Sequence, residues 1–411
     1  MARPGNAVEK VYIVMVGLPA RGKSTTALRL CEGLNAEGIN VRIFNNGELR
    51  RTHLGPDSSL PEFYHPDNGE GRTRRERLAR INATAARTFL AGNGQVAILD
   101  ATNASRSRRD FLRARFDNHP ILYLECVNDD EELLTLSIER KTRLPEFSHL
   151  PAHEAASGFL DRIDYYKRIY SSPADEGCYL CVDTLRNRIL AERMPAKIPY
   201  YPHIREVLVS DWIRELYLAR HGESFFNLEG RIGGDAPLTE RGHAQAAALA
   251  GHFHNKHVPY IFTSLRLRAR QTAGPISEKH PEATVIALNE LDEINAGICD
   301  SMRYEDIRRE LPEEFAARAK DKYHYIYPDG EGYASMYDRV ERGLHKALFL
   351  SGGRPGIVLI GHQAVNRMIL SLFLFRRTED VPYIYIPQEQ CYYIVATHRK
   401  KLFELLRFEM S

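Results

Sequence analysis

Residues 11–25 read VYIVMVGLPARGKST. The apolar run has the length and the β-branched content of a buried strand, and the amphipathic stretch STTALRLCEGLNAEG that follows has the spacing of a helix. Between them Gly17, Gly22, Lys23 and Ser24 fill the pattern G-x-x-x-x-G-K-[ST], in the strand–loop–helix context that the pattern requires. Glycines let backbone N–H groups wrap a phosphate, and the helix N-terminus adds a favourable dipole. Lys23 is then expected to reach the β- and γ-phosphates, and the Ser24 hydroxyl to ligate the accompanying Mg²⁺. Such a site needs an acidic residue close by. Asp100, closing the apolar run of VAILDATN, supplies one at a strand's carboxyl end, where ligands collect in open α/β sheets; a helix N-cap is the competing role. The residues leave the acceptor open. Arg50, Arg51, Arg75, Arg108 and Lys141 suit an anionic one such as a sugar phosphate, because arginine's planar fork matches phosphate oxygens.

Outward from that loop, apolar runs alternate with helical patterns through VRIFNNG, an arginine-rich helix ending in ARTFLAGN, VAILDAT and ILYLECV. This rhythm predicts a parallel sheet flanked by helices. It breaks around residues 195–212, in PAKIPYYPHIREVLVSDW, where prolines and tyrosines show no sustained period and a linker is expected. A second alternation follows, from IRELYLARHG to GIVLIGHQAVNRMILSLF. Two α/β domains, residues 1–205 and 206–411, are therefore expected. A chain of 411 residues is also too long for one ordinary core.

Bulk composition excludes several classes. Lys and Arg number 56 against 54 Asp and Glu, a formal charge of +2, so nothing pulls the whole chain toward nucleic acid or an anionic membrane. The local clusters GRTRRERLAR and SRSRRDFLRAR read as solvated helix faces or as local anion sites. No stretch has the length of a membrane span and no signal pattern opens the chain, so a cytoplasmic protein is expected. Six cysteines do not make a disulfide framework, and Cys178-x-x-Cys181 lacks a second pair at zinc-site spacing. Buried strand thiols are the expectation.

The second half carries its own chemistry in ELYLARHGES, residues 215–224. A strand ending in Arg-His-Gly delivers an imidazole to the sheet's carboxyl edge, where glycine allows close approach. His221 has company: Arg220 beside it, Arg268 in LRLRARQTA, Glu293 in LDEINAG, and a second strand-end histidine, His362, in VLIGHQAVNR. This set suits phosphoryl transfer through a phosphohistidine, in which one imidazole attacks, cations neutralise the phosphoryl oxygens and the carboxyl protonates the leaving oxygen. A metal site would also use histidines and a carboxylate, but the surrounding arginines would repel a divalent cation.

A phosphate-loop half followed by an Arg-His-Gly half resembles the bifunctional 6-phosphofructo-2-kinase/fructose-2,6-bisphosphatase family. The likeness runs from about residue 11 to residue 390, through MVGLPARGKS, FYHPDN, DATN, RHGES, RIGGD, PEEFAARAKDKY and GHQAV. It implies a P-loop kinase domain with a parallel sheet and a histidine-phosphatase, phosphoglycerate-mutase-like, α/β domain. It also implies ATP with Mg²⁺, fructose 6-phosphate and fructose 2,6-bisphosphate as partners, no cofactor in the phosphatase domain, and a homodimer. In the kinase half it implies Asp100 as catalytic acid/base and Asn128 on the nucleotide side. Arg51, Arg75, Thr102, Arg108, Lys141, Arg162 and Tyr166 fall at its fructose 6-phosphate positions. The family's cysteine before the Asn-Asp pair is replaced by Val127, with Cys126 one step earlier. In the other half the resemblance makes His221 the nucleophile and Glu293 the proton donor. Glu290 is its rival, because LNELDEINAG admits two alignments. Arg220, Arg268 and His362 stabilise the moving phosphoryl group, with Asn227 and Gly233 in the neighbouring loop. Tyr304, Arg318, Lys322, Tyr333, Gln363 and Arg367 hold the rest of the sugar. The animal members' long phosphorylatable tails are not expected.

Two alternatives differ in class. The replacement at Val127 raises a phosphatase whose P-loop half only binds nucleotide, as a regulatory module. A nucleic-acid end-processing kinase and phosphatase would use the same loop, but near-neutral charge and basic runs without interleaved aromatics count against it.

Overall fold

The computed structural model describes residues 9–409 apart from 56, 57, 59, 66, 144, 149, 375 and 376; Pro66 of FYHPDN thus lies outside the described residues. The chain divides into two compact units, Met1–Asp211 and Trp212–Ser411.

In the first unit the strands are β1 (Val11–Val16), β2 (Val41–Asn45), β3 (Val96–Asp100), β4 (Ile121–Val127), β5 (Cys178–Asp183) and β6 (Arg188–Arg193). They lie in the order β2-β3-β1-β4-β5-β6. Pairing is parallel from β2 to β5 and antiparallel at β6, so the expected parallel sheet acquires an antiparallel edge strand. β1 is central and buried throughout, and its period of two sorts its side chains to two cores. Val11, Ile13 and Met15 meet Leu30 and Leu34 of helix Lys23–Ala36, while Tyr12, Val14 and Val16 meet Ala83, Ala86 and Leu90 of helix Gly69–Ala91. Cys178 and Cys181 are buried free thiols on β5, as expected.

The region read as a linker is structured. Helix Tyr201–Val209 belongs to the first unit, so the expected division at residue 205 falls inside it. Periodicity fails there because the helix is short and starts from an unusual backbone, Tyr200 at φ 61°. Tertiary contacts supply what periodicity lacked: Tyr200 Oη accepts from Gln95 Nε2 at 2.6 Å, and Ile204, Val207 and Leu208 enter the core. Gly33 lies beneath Val207, and a Cβ at residue 33 would come within 2.6 Å of its Cγ2. Gly33→Ala is therefore expected to destabilise the first unit by ~1–3 kcal/mol through overpacking, read as a lowered chemical-denaturation midpoint.

The second unit contains β7 (Ile213–Arg220), β8 (Tyr260–Thr263), β9 (Thr284–Ala287), β10 (Ile357–Gly361), β11 (Gln390–Ala396) and β12 (Lys401–Arg407). Their order is β12-β11-β7-β10-β8-β9; β11 pairs antiparallel with both β12 and β7, and the remaining pairings are parallel. Helices Glu240–Phe253 and Leu267–Lys279 cover one face, burying Phe253, Ala273 and Ile276 against Ile261, Val358 and Ile360. Helix Gln363–Phe373 packs on β7 and on helix Tyr333–Ser351. Because β7 and β10 are parallel neighbours with Arg220 opposite Gly361, the residues that follow them emerge side by side at one sheet edge. Among the described residues no helix is long and apolar enough to cross a membrane.

Candidate active sites

The carboxyl end of β1 feeds the glycine loop, which Gly22 closes at φ 79°, a left-handed conformation that glycine adopts at little cost. Lys23 then opens the helix, 8% exposed, its Nζ donating to the Leu18 carbonyl at 2.6 Å. Burial lowers its pKa to about 8, against the opposing pull of Asp100. Asp100 ends β3 almost wholly buried and hydrogen-bonded to Ser24 and to Asn45 Nδ2. Its carboxyl is held above the usual range by burial, which outweighs those bonds and the nearby ammoniums of Lys23 and Lys141. Lys141 is lowered to about 8 by burial and then by Arg140 and Lys23.

Beyond Asp100 a cavity of about 480 Å³ opens. Of the sequence candidates, Arg75, Thr102, Arg108, Arg162 and Tyr166 line it. Arg162 stacks over Tyr64 at 4.1 Å, and its buried Nε has no hydrogen-bond partner among the described residues. Lys141 stands near Lys23, Arg162 and Asp100 without lining this cavity. Arg51 is not brought to it: its side chain is 47% exposed and faces Glu146 at 3.5 Å. Its neighbour Arg50 lines the cavity instead, buried and paired with Glu146 at 2.5 Å. Successive residues on helix Asn46–Leu54 point ~100° apart, so only one of the two can face inward.

Asn128 is buried just past β4, and its carbonyl accepts from Arg21 of the glycine loop. Its side chain accepts from the Asp130 N–H at 3.0 Å, which leaves it a turn-forming duty. Gly17 passes so close to β4 that a Cβ there would meet the Cys126 carbonyl at 2.5 Å. The Cys126 thiol is pushed up to about 12 by burial and therefore stays protonated at neutral pH. Sequence reading missed Asn45 and Arg21, whose polar side chains carry no motif of their own.

In the second unit His221 leaves β7 with its N–H bonded to the Gly361 carbonyl at 3.0 Å, and the His221 and His362 rings lie 5.1 Å apart. Gly222 is required by close approach: a Cβ would meet the Gly242 carbonyl at 2.5 Å. His221 Nδ1 lies 2.7 Å from the Gly222 carbonyl, an acceptor only, so Nδ1 carries the proton. Nε2 is left with its lone pair and takes a hydrogen bond from Arg268 Nε at 3.2 Å. Burial first, then Arg268 and Arg220, hold this imidazole well below its ordinary pKa, hence neutral. His362 is depressed for the same reasons and pairs through Nε2 with Ser264 Oγ at 2.7 Å.

A cavity of about 310 Å³ gathers Arg220, His221, Asn227, Gly233, Arg268, Glu293, Tyr304, Arg318, Lys322, Tyr333, Gln363 and Arg367. Of the candidates in this half, His362 and the rival carboxylate Glu290 do not line it. Arg220 Nε is buried with no hydrogen-bond partner among the described residues. Arg367 donates to Tyr333 Oη at 3.0 Å, Arg318 stacks on Tyr304 at 5.7 Å, and Lys322 is lowered to about 8 by burial and by Arg318. The two rival carboxylates separate cleanly. Glu293 lines the cavity and accepts from the N–H groups of Gln363 at 3.1 Å and Ala364 at 3.2 Å, at a helix N-terminus. Glu290 turns away and is buried against Lys346 at 2.5 Å and Arg342 at 3.3 Å. Arg231 and Tyr327 also line the cavity. RIGGD contained Arg231, but nothing in the text separated it from a surface arginine.

Comparisons with known proteins divide at the same place. A sequence model described as 6-phosphofructo-2-kinase matches residues 2–180, and one described as histidine phosphatase superfamily (branch 1) matches residues 216–410. The chain is 35% identical over 390 residues to a 6-phosphofructo-2-kinase/fructose-2,6-bisphosphatase of Gallus gallus, covering 91% of this chain and 80% of that one. It is 34% identical over 394 residues to the protein so named in Caenorhabditis elegans, covering 91% and 84%. A Homo sapiens relative, 6-phosphofructo-2-kinase/fructose-2,6-bisphosphatase 3, is 35% identical over 390 residues, covering 91% and 72%.

Proposed function

Because the chain belongs to the bifunctional 6-phosphofructo-2-kinase/fructose-2,6-bisphosphatase family, we infer that its halves run opposed phosphoryl transfers at one sugar position. The first half phosphorylates the 2-hydroxyl of fructose 6-phosphate from ATP. The second hydrolyses fructose 2,6-bisphosphate back to fructose 6-phosphate and phosphate. The observation that carries the reading is the presence on one chain of two cation-lined cavities. One adjoins a phosphate loop with a buried lysine and carboxylate, the other a neutral, buried imidazole.

In the kinase half, Lys23 and the loop N–H groups meet the nucleotide phosphates, and Arg75, Arg108 and Arg162 grip the sugar phosphate. The sugar's anion would satisfy the otherwise unpartnered Arg162 Nε. Arg50 joins this set in place of Arg51. The oxygen donors present suit Mg²⁺, which takes few protein ligands besides phosphate oxygens and water. Ser24 would hold it, its hydroxyl oriented by Asp100, and a bound ion neutralises charge on the transferring phosphates. Asp100, held above the ordinary carboxylate range, is poised to take the proton of the sugar hydroxyl. Lys23 and Lys141, both near pKa 8, are charged below that pH and neutral above it. Kinase kcat/KM for ATP is therefore expected to fall as pH rises through about 8; a pH profile level to about pH 10 would contradict the role of the two ammoniums.

In the phosphatase half, His221 Nε2 attacks the phosphorus on C2. As the N–P bond forms, the P–O bond breaks and its electron pair passes to the sugar oxygen, which takes the proton of Glu293. Water then attacks the phosphohistidine, giving its proton to the Glu293 carboxylate and returning Nε2 its lone pair. Arg220 and Arg268 flank the phosphoryl group from the cavity wall, with the His362 ring 5.1 Å from the attacking imidazole to support its transfer, while Arg318, Lys322, Tyr333 and Arg367 hold the 6-phosphate side. Rapid quenching with fructose 2,6-bisphosphate labelled at the 2-phosphate tests this half. The expected result is an acid-labile, alkali-stable protein phosphate that turns over at the rate of hydrolysis, and its absence would overturn the covalent route. A homodimer and a cytoplasmic location belong to the same reading, to be checked by sedimentation and cell fractionation.

A further inference from the structure

Glu293 sits on a stretch of chain without helix or strand, residues 292–296. A proton donor must nevertheless be held close to its productive position. One side chain grips the backbone around it. Arg339, from helix Tyr333–Ser351, donates through Nη1 to the carbonyls of Glu290 at 2.7 Å and Asp292 at 2.8 Å, just before Glu293. Its Nε and Nη2 pair with Glu331 at 2.9 and 2.7 Å. Glu331 Oε2 in turn accepts the Asn295 N–H at 3.0 Å, just after Glu293, and the Glu331 N–H donates to the Asn295 carbonyl at 2.8 Å. The two residues therefore clamp the chain on both sides of the carboxylate, and neither lines the cavity.

We propose that Arg339, with Glu331, is a positioning residue for protonation of the leaving oxygen, holding Glu293 in register with the helix end that orders its carboxylate. This rests on the reading of Glu293 as proton donor. The guanidinium divides its planar set of donors among three acceptors, two carbonyls and a carboxylate. A lysine ammonium, a point charge with no fork, cannot reproduce that geometry. The clamp is needed first at the departure of an oxygen too basic to leave unprotonated, the step that forms the phosphohistidine and precedes the attack of water.

Two substrates separate that step from the rest. Fructose 2,6-bisphosphate loses a sugar hydroxyl and needs the proton, whereas p-nitrophenyl phosphate loses a phenolate that leaves without one. In full-length Arg339→Lys, the rapid-quench rate of phosphohistidine formation from fructose 2,6-bisphosphate is expected to fall ~10²-fold, the scale of a misplaced general acid, with the half-saturating substrate concentration little changed. Rapid-quench formation of the phosphohistidine from p-nitrophenyl phosphate should stay near the wild-type rate. Glu331→Gln, which loosens the clamp while leaving Arg339 its two carbonyls, should show the same selectivity more weakly and guards against misfolding of the lysine variant. Glu293→Gln, measured alongside, reports on the reading beneath. If Glu293→Gln is selective for the bisphosphate but Arg339→Lys slows both substrates alike, or neither, the positioning role is overturned and the proton-donor reading survives. If Glu293→Gln itself slows both alike, the proton-donor reading fails and the clamp proposal falls with it.

Discussion

Protein carrying His221→Ala accumulates fructose 2,6-bisphosphate when given Mg·ATP and fructose 6-phosphate, and forms no acid-labile phosphoenzyme. The expectation follows from the ring's environment. Its Nδ1 faces the Gly222 carbonyl, so Nε2 is the free nucleophile, and burial among arginines keeps it unprotonated. Removing a covalent nucleophile lowers turnover by ~10⁴-fold or more, because the route through the intermediate is lost rather than slowed. The kinase cavity lies in the other compact unit and shares no lining residue with this one, so synthesis continues. Among the described residues His362, with its ring 5.1 Å away, is the imidazole that would substitute. A His221→Ala protein that still releases phosphate from the bisphosphate, with label on His362, would reverse the assignment of the two histidines.

Lys23→Ala has the opposite effect. Its ammonium is buried beside Asp100, and where water is excluded each charge acts at greater strength than in solution. Loss of this group is expected to cut fructose 2,6-bisphosphate synthesis by ~10³-fold while hydrolysis of added bisphosphate is unchanged. Asp100 loses a compensating charge at the same time, which raises its pKa further. A thermal melt of the variant is therefore read alongside its kinetics, so that local loss of chemistry is distinguished from unfolding. Synthesis at the wild-type rate in a folded Lys23→Ala protein would sink the phosphate-loop assignment.

What was legible in the text is the part of each site that sits at strand ends. Strand–glycine–lysine and Arg-His-Gly are contiguous, and the physics that makes them useful also makes them local: a strand delivers, a glycine yields, a helix begins. His221 and His362 meet because their strands are parallel neighbours, so two separate strand-end histidines sufficed to expect a pair. Arg50 and Arg51 mark where this ends, since adjacent residues on a helix differ only in which way they point. Glu290 and Glu293 are indistinguishable as text, and partners distant in sequence separate them: Lys346 for one, the N-terminus of helix Gln363–Phe373 for the other. Helix Tyr201–Val209 was read as a linker because its order comes from packing on Gly33 and from Gln95 rather than from its own periodicity. Arg339 was invisible, because a residue that works by holding backbone carbonyls leaves no pattern.

The central claim, that one chain both makes and removes the 2-phosphate, is tested most directly by incubating the unaltered protein with Mg·ATP and fructose 6-phosphate and following ADP, phosphate and the sugar together. The account predicts that ADP and phosphate appear at equal steady rates, only when fructose 6-phosphate is present, while the fructose 6-phosphate concentration settles and holds. No ADP under these conditions, from protein that still hydrolyses added fructose 2,6-bisphosphate, would contradict it and leave a phosphatase joined to a nucleotide-binding module.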